Sequence, residues 1–77
     1  MRWTRFYVLH SCCDQPIALG ADGTIEVWSG CSARLVKSYR SLEEFAADHP
    51  EVWHGDQYAV VPASTILEEI ERIQRAL

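Results

Sequence analysis

The chain has 77 residues, a formal net charge of −4, 48% apolar residues and eight aromatic side chains. One domain with one core fits this length, and about 60 to 65% of the unfolded surface would be buried in it; the apolar content excludes a disordered chain. The charge is segregated: residues 1–40 carry five bases and three acids, residues 41–71 eight acids and no base, and residues 72–77 two bases, which excludes the basic stripe of a nucleic-acid binder.

Residues 3–10, WTRFYVLH, are rich in aromatic and β-branched side chains on both alternating faces and predict a central strand. PIALG, then ADG, then TIEVWS predicts a hairpin, with Asp22-Gly23 supplying the positive φ of a tight turn. Gly30, Cys31 and Ser32 make the next turn, and ARLVKSYR alternates at the period of a half-exposed strand. These runs form a four-strand meander.

Ser41 and Glu44 have the spacing of a capping box, so a helix starts after Ser41, and Pro50 ends it. Leu42, Phe45, Ala46 and His49 share its apolar face, with Glu43, Glu44 and Asp48 turned to water. QYAVV, residues 57–61, predicts a short buried strand closed by Pro62. Thr65 and Glu68 offer a second capping box before Ile66, Leu67, Ile70, Ile73 and Leu77 at helical spacing. In this helix Glu68 precedes Arg72, and Glu71 precedes Arg75, by four residues, the favourable order for surface pairs. The expected order is ββββαβα, an α+β fold in which two helices pack on one face of a mainly antiparallel sheet of four to five strands.

Chemistry-bearing motifs are few. His10, Cys12, Cys13 and Cys31 fall on two loops that the meander brings to one end of the sheet. A tetrahedral zinc site draws ligands in C-x(2-4)-C pairs, which this spacing does not supply. Idle thiols are expected, with no metal or cofactor; Cys12 or Cys13 pairing with Cys31 is the alternative. His49 and His54, five apart across Pro50, read as rim histidines. No phosphate-binding glycine loop or nucleophile elbow is present, and a core this small leaves little room for a catalytic pocket, so the protein is expected not to be an enzyme. Trp28 shares a strand face with Thr24 and Glu26, but base stacking needs an electropositive groove, so no direct nucleic-acid binding is expected. No run approaches the roughly 18 apolar residues of a membrane span, and MRWTRFYVLHSCC lacks the features of a signal peptide; no membrane contact and a cytoplasmic location are expected.

The stretch SLEEFAADHPEVWHGD, residues 41–56, carries five carboxylates and no Lys or Arg. Glu44 and Asp48, at i and i+4, would repel by about 0.2 to 0.5 kcal/mol, and a basic partner would explain why that is tolerated. Glu43, Glu44, Asp48, Glu51, Asp56 and Glu69 are therefore the expected partner-binding residues, set against a basic protein surface by a monomer. Three helix carboxylates over about 12 Å are sparse against the roughly seven phosphates of duplex DNA in that length, so the surface is at most a partial DNA mimic. The alternative is a small regulatory or adaptor protein of a phage or bacterium, binding through an aromatic sheet face at Trp28 and Tyr39, with the acidic helix merely solvated.

In size, charge, this acidic region and its compact α+β order, the whole chain loosely resembles the small acidic anti-CRISPR proteins of phages and mobile elements. The resemblance implies an inhibitor acting in the cytoplasm of a host bacterial cell. It further implies that a subunit of a type I Cascade complex is the target, and that binding of target DNA or its PAM is blocked.

Overall fold

The computed structural model describes residues 2–76. Six strands and two helices follow in the order β1 (Arg2–Val8), β2 (Gln15–Leu19), β3 (Ile25–Trp28), β4 (Leu35–Tyr39), α1 (Leu42–Asp48), β5 (Glu51–His54), β6 (Ala59–Pro62) and, after a 3-10 turn over Ala63–Thr65, α2 (Ile66–Arg75). The strands form one open antiparallel sheet ordered β4-β3-β2-β1-β5-β6. The fold is α+β, with one strand more than the sequence suggested. The extra strand, β5, lies inside the acidic stretch. Val52 and His54 point to the core from it while Glu51 and Trp53 point away, the period-2 pattern of a half-buried strand.

β1 is central, as its two-faced apolar pattern predicts. β6 is shorter than expected and is an edge strand: Gln57 and Tyr58 belong to the turn before it, Val60 is half exposed, and Pro62 at its end is tolerated because an edge leaves one side unpaired. In the β2–β3 hairpin Gly23 alone adopts positive φ (86°), and Asp22 accepts the Thr24 hydroxyl at 2.8 Å, a contact that lowers its pKa.

The core is a single layer between sheet and helices, formed by Phe6, Val8, Ile17, Ile25, Val27, Tyr39, Phe45, Val52, Ala63 and Ile66. Phe45 brings α1 into it and Ile66 brings α2. The cap of α1 differs by one residue from the expected box: the Glu44 amide donates to Ser41 Oγ at 3.2 Å, but the Glu44 carboxylate accepts the amide of Arg40, not that of Ser41. The second box is absent. Thr65 already has helical dihedrals at the end of the 3-10 turn and makes no side-chain cap. Of the expected apolar face of α2, Ile66 and Ile73 are buried and Leu67 is half exposed; Leu77 lies outside the described residues.

β1 contains a bulge. Its register against β2 shifts between Trp3 and Tyr7, and the Thr4 hydroxyl bridges the gap, donating to the Ile17 carbonyl at 2.7 Å and accepting the Phe6 amide at 3.1 Å. The Arg5 amide is released from the ladder and donates to Glu69 of α2. A bulge re-aims a side chain where a ladder would hold it, and here it aims Arg5 at the helix layer.

Candidate functional site

The six carboxylates do not form one surface. Glu69 is buried at 2% exposure and fully engaged: its oxygens accept the Arg5 amide at 3.1 Å, Arg5 Nε and Nη2 at 2.9 Å each, and Arg72 Nε at 2.6 Å. The Arg5 bonds, joined by that of Arg72, outweigh burial and hold its pKa near 2. Asp56 pairs with the same guanidinium at 3.1 Å, and both partners raise the pKa of Arg5. Asp48 accepts Lys37 Nζ and the Tyr39 hydroxyl, each at 3.0 Å; the Lys37 bond, then that of Tyr39, lowers its pKa, so the expected repulsion with Glu44 is offset from β4.

Three expected partner-binding residues are thus neutralised by bases of the fold. Of the others, Glu43 and Glu44 are exposed on the first turn of α1 on the helix side, whereas Glu51 projects from β5 on the opposite face of the sheet. In α2, Arg72 pairs with Glu69 at i,i+3 instead of Glu68, and Arg75 Nε donates to the Glu71 carbonyl instead of its carboxylate.

With both helices on one side, the other face of the sheet has no covering element among the described residues. Cross-strand neighbours share a face, so the register places Trp3, Ala18, Glu26 and Ser38 in one row, Tyr7 beside Pro16 and Trp53, Trp53 beside Val60, and Trp28 beside Leu35. Trp3 and Trp28 meet edge-on with ring centroids 5.9 Å apart, and Trp28 Nε1 donates to Glu26 at 3.2 Å. Trp53 and the turn residue Tyr58, which has φ 51° and is 80% exposed, form a second edge-on pair at 6.5 Å. Trp3, Leu35 and Val60 are each about half exposed.

This aromatic face is the surface anticipated for the adaptor alternative, but with a different membership. Tyr39 is buried on the helix side, where burial and its bond to Asp48 raise its pKa, and Trp53 belongs to the face instead. The alternation Glu51-Val52-Trp53-His54 carried that signal, masked by the surrounding charge. His54 is a correction too: it is buried, stacked edge-on against Phe6 at 4.7 Å, with Nδ1 accepting the amides of Asp56 and Gln57 at 3.2 Å. His49 is half buried beside Phe45.

The two cysteine loops meet at one end of the sheet. Cys13 and Cys31 form a disulfide and Cys12 is free and exposed, which corrects the expectation of idle thiols and realises the alternative pairing. A Cβ on Gly30 would overlap the carbonyl oxygen of Asp14, so glycine is what allows the loops to touch. The Cys12 Sγ lies 3.9 Å from that of Cys31.

Comparison with protein-family models, with curated proteins and with solved structures found no match for this chain.

Proposed function

We propose that this chain is a small protein-binding module whose open aromatic sheet face docks a partner surface that is both apolar and basic. The observation that carries the reading is the one-sided packing, which leaves Trp3, Tyr7, Trp28, Trp53 and Val60 on a face that no described element covers. Contiguous apolar surface of this kind marks interaction sites, and Trp and Tyr dominate the binding energy of protein interfaces. Charge selects the partner. The strand positions on this face carry Glu26 and Glu51 and no base, since Arg5 and Lys37 turn to the helix layer and Arg2 sits beside the core residue Leu19. That sign favours a basic protein over a phosphate backbone. Six strands about 4.8 Å apart and about 17 Å long give a face of roughly 500 Å² in projection, the scale on which functional surface patches are found.

A narrower reading keeps the acidic helix as the contact and the DNA-binding groove of a Cascade complex as the target, as the anti-CRISPR resemblance implies. It is favoured by Glu43, which is exposed and flanks a groove of about 470 Å³ lined by Leu42, Ala46 and Leu67, a place for the stem of a partner Arg or Lys. Capture from a CRISPR-bearing bacterial lysate at low and high salt separates the two. A partner lost with Trp28→Ala or Trp53→Ala but retained by the Glu43→Lys/Glu44→Lys double variant supports the sheet face; the reverse pattern supports the acidic helix and sinks the sheet-face reading.

A further inference from the structure

The cysteine corner lies on loops at the end of the sheet, apart from the strand positions that make up the aromatic face. The Sγ atoms of Cys12, Cys13 and Cys31 all lie within 4.8 Å of one another. Three thiolates bound to one ion at the usual metal–sulfur distance of about 2.3 Å stand about 4 Å apart in a trigonal plane, and Cys12 and Cys31 are already at 3.9 Å. We propose that, once the Cys13–Cys31 disulfide is reduced, these three cysteines form a three-thiolate site for a soft metal ion, Cu(I).

The backbone around the sulfurs is organised independently of the disulfide. Nδ1 of His10 accepts the Cys12 amide at 3.3 Å, and Ser29 Oγ accepts the amides of Cys31 and Ser32 at 3.3 and 3.2 Å. Ser29 N donates to the Arg34 carbonyl at 2.7 Å, closing the second loop at its base, and Gly30 permits its contact with Asp14. β1, β2 and β3 are adjacent, so the sheet holds both loop bases in place when the covalent link opens. Cys12 and Cys31 are exposed, which gives an ion a way in.

The donor count selects the ion. No fourth His, Cys, Asp or Glu joins the trio among the described residues, so a tetrahedral structural zinc site would lack one protein ligand. Soft thiolate ligands select Cu(I), an ion that is satisfied by three donors. Oxidation removes the site, because two of its three donors are then consumed in the S–S bond.

The steps balance with a phosphine reductant. The phosphine attacks one sulfur, the S–S bond breaks, and water supplies the oxygen of the phosphine oxide and the protons of the two thiols. On loading, the three S–H groups release their protons to solvent and three S–Cu bonds form, with copper remaining Cu(I).

The full chain, reduced with a phosphine under anaerobic conditions, is titrated with Cu(I) held by the chromophoric chelator bicinchoninate. One Cu(I) per chain should transfer, with a sulfur-to-copper absorption band that saturates at one equivalent and all three cysteines protected from iodoacetamide. Cys12→Ser retains the disulfide pair for folding and should weaken Cu(I) binding by more than about tenfold, since loss of even an outer-shell partner costs that much; Cys31→Ser, checked for fold by far-UV circular dichroism, should do the same. No transfer from the chelator, unchanged affinity in Cys12→Ser, or preferential uptake of one Zn(II) by the reduced protein would each overturn the proposal.

Discussion

Glu69 is one carboxylate among eight in the acidic half of the chain, yet it is the one the fold uses as a strut, tying α2 to the bulge of β1 through Arg5 and to its own helix through Arg72. Its folded pKa of about 2 lies below the ordinary value of 4.5, so its contribution to stability is complete above pH 4.5 and fades as the pH falls towards 2. Arg5 and Arg72 are about half exposed, and water screens the pair, leaving roughly 1 to 2 kcal/mol from this linkage. Glu69→Gln should therefore lose about 2 kcal/mol at neutral pH and differ little from the parent near pH 2, as urea unfolding at both pH values would show. None of this was legible in the sequence. Helical periodicity placed Glu69 beside other acids, and the bulge that turns Arg5 towards it leaves no trace in an alternation pattern.

α1 has only seven residues, too few to persist without its caps and its packing. Ser41→Ala should cost about 1 kcal/mol and appear first as faster hydrogen exchange at the amides of Phe45 and His49, which bond the Ser41 and Phe45 carbonyls. Phe45→Ala, at a position with no exposure, should cost about 3 to 5 kcal/mol and leave little folded protein in a thermal melt. The sequence discloses this helix readily because Ser41, Phe45 and Pro50 are local signals. It hid β5 because four residues are too short a run for periodicity to outweigh the acids on either side. It misplaced the start of α2 because the 3-10 turn after Pro62 already sets Thr65 in helical geometry, leaving it no cap to make.

At the level of the whole molecule, the covalent link between the β1–β2 and β3–β4 loops spans a sequence separation of 18, and closing a loop of that size in the unfolded chain stabilises by about 3 kcal/mol. Reduction should lower the urea midpoint accordingly, with the native Trp fluorescence kept in the absence of urea. The helices-on-one-face arrangement was legible from amphipathic spacing. An aromatic face was anticipated at Trp28, but its membership follows only when β5 is recognised, since that strand supplies Trp53. The charge block, conspicuous in the linear sequence, dissolves in three dimensions because β4 and the bulged β1 deliver Lys37 and Arg5 to it.

The position of β1 in the middle of the sheet bears on the order of assembly during translation. β2 follows it closely, but the strand on its other flank, β5, ends only at His54. Until that segment leaves the ribosome, one side of β1 has no hydrogen-bonding neighbour, and Phe6, Ile17 and Val27 lack the helices that shield them. Nascent chains halted after Arg40 should hence be sticky towards one another, and the pace of synthesis from Arg40 to Arg75, where α2 ends, sets how long that hazard lasts.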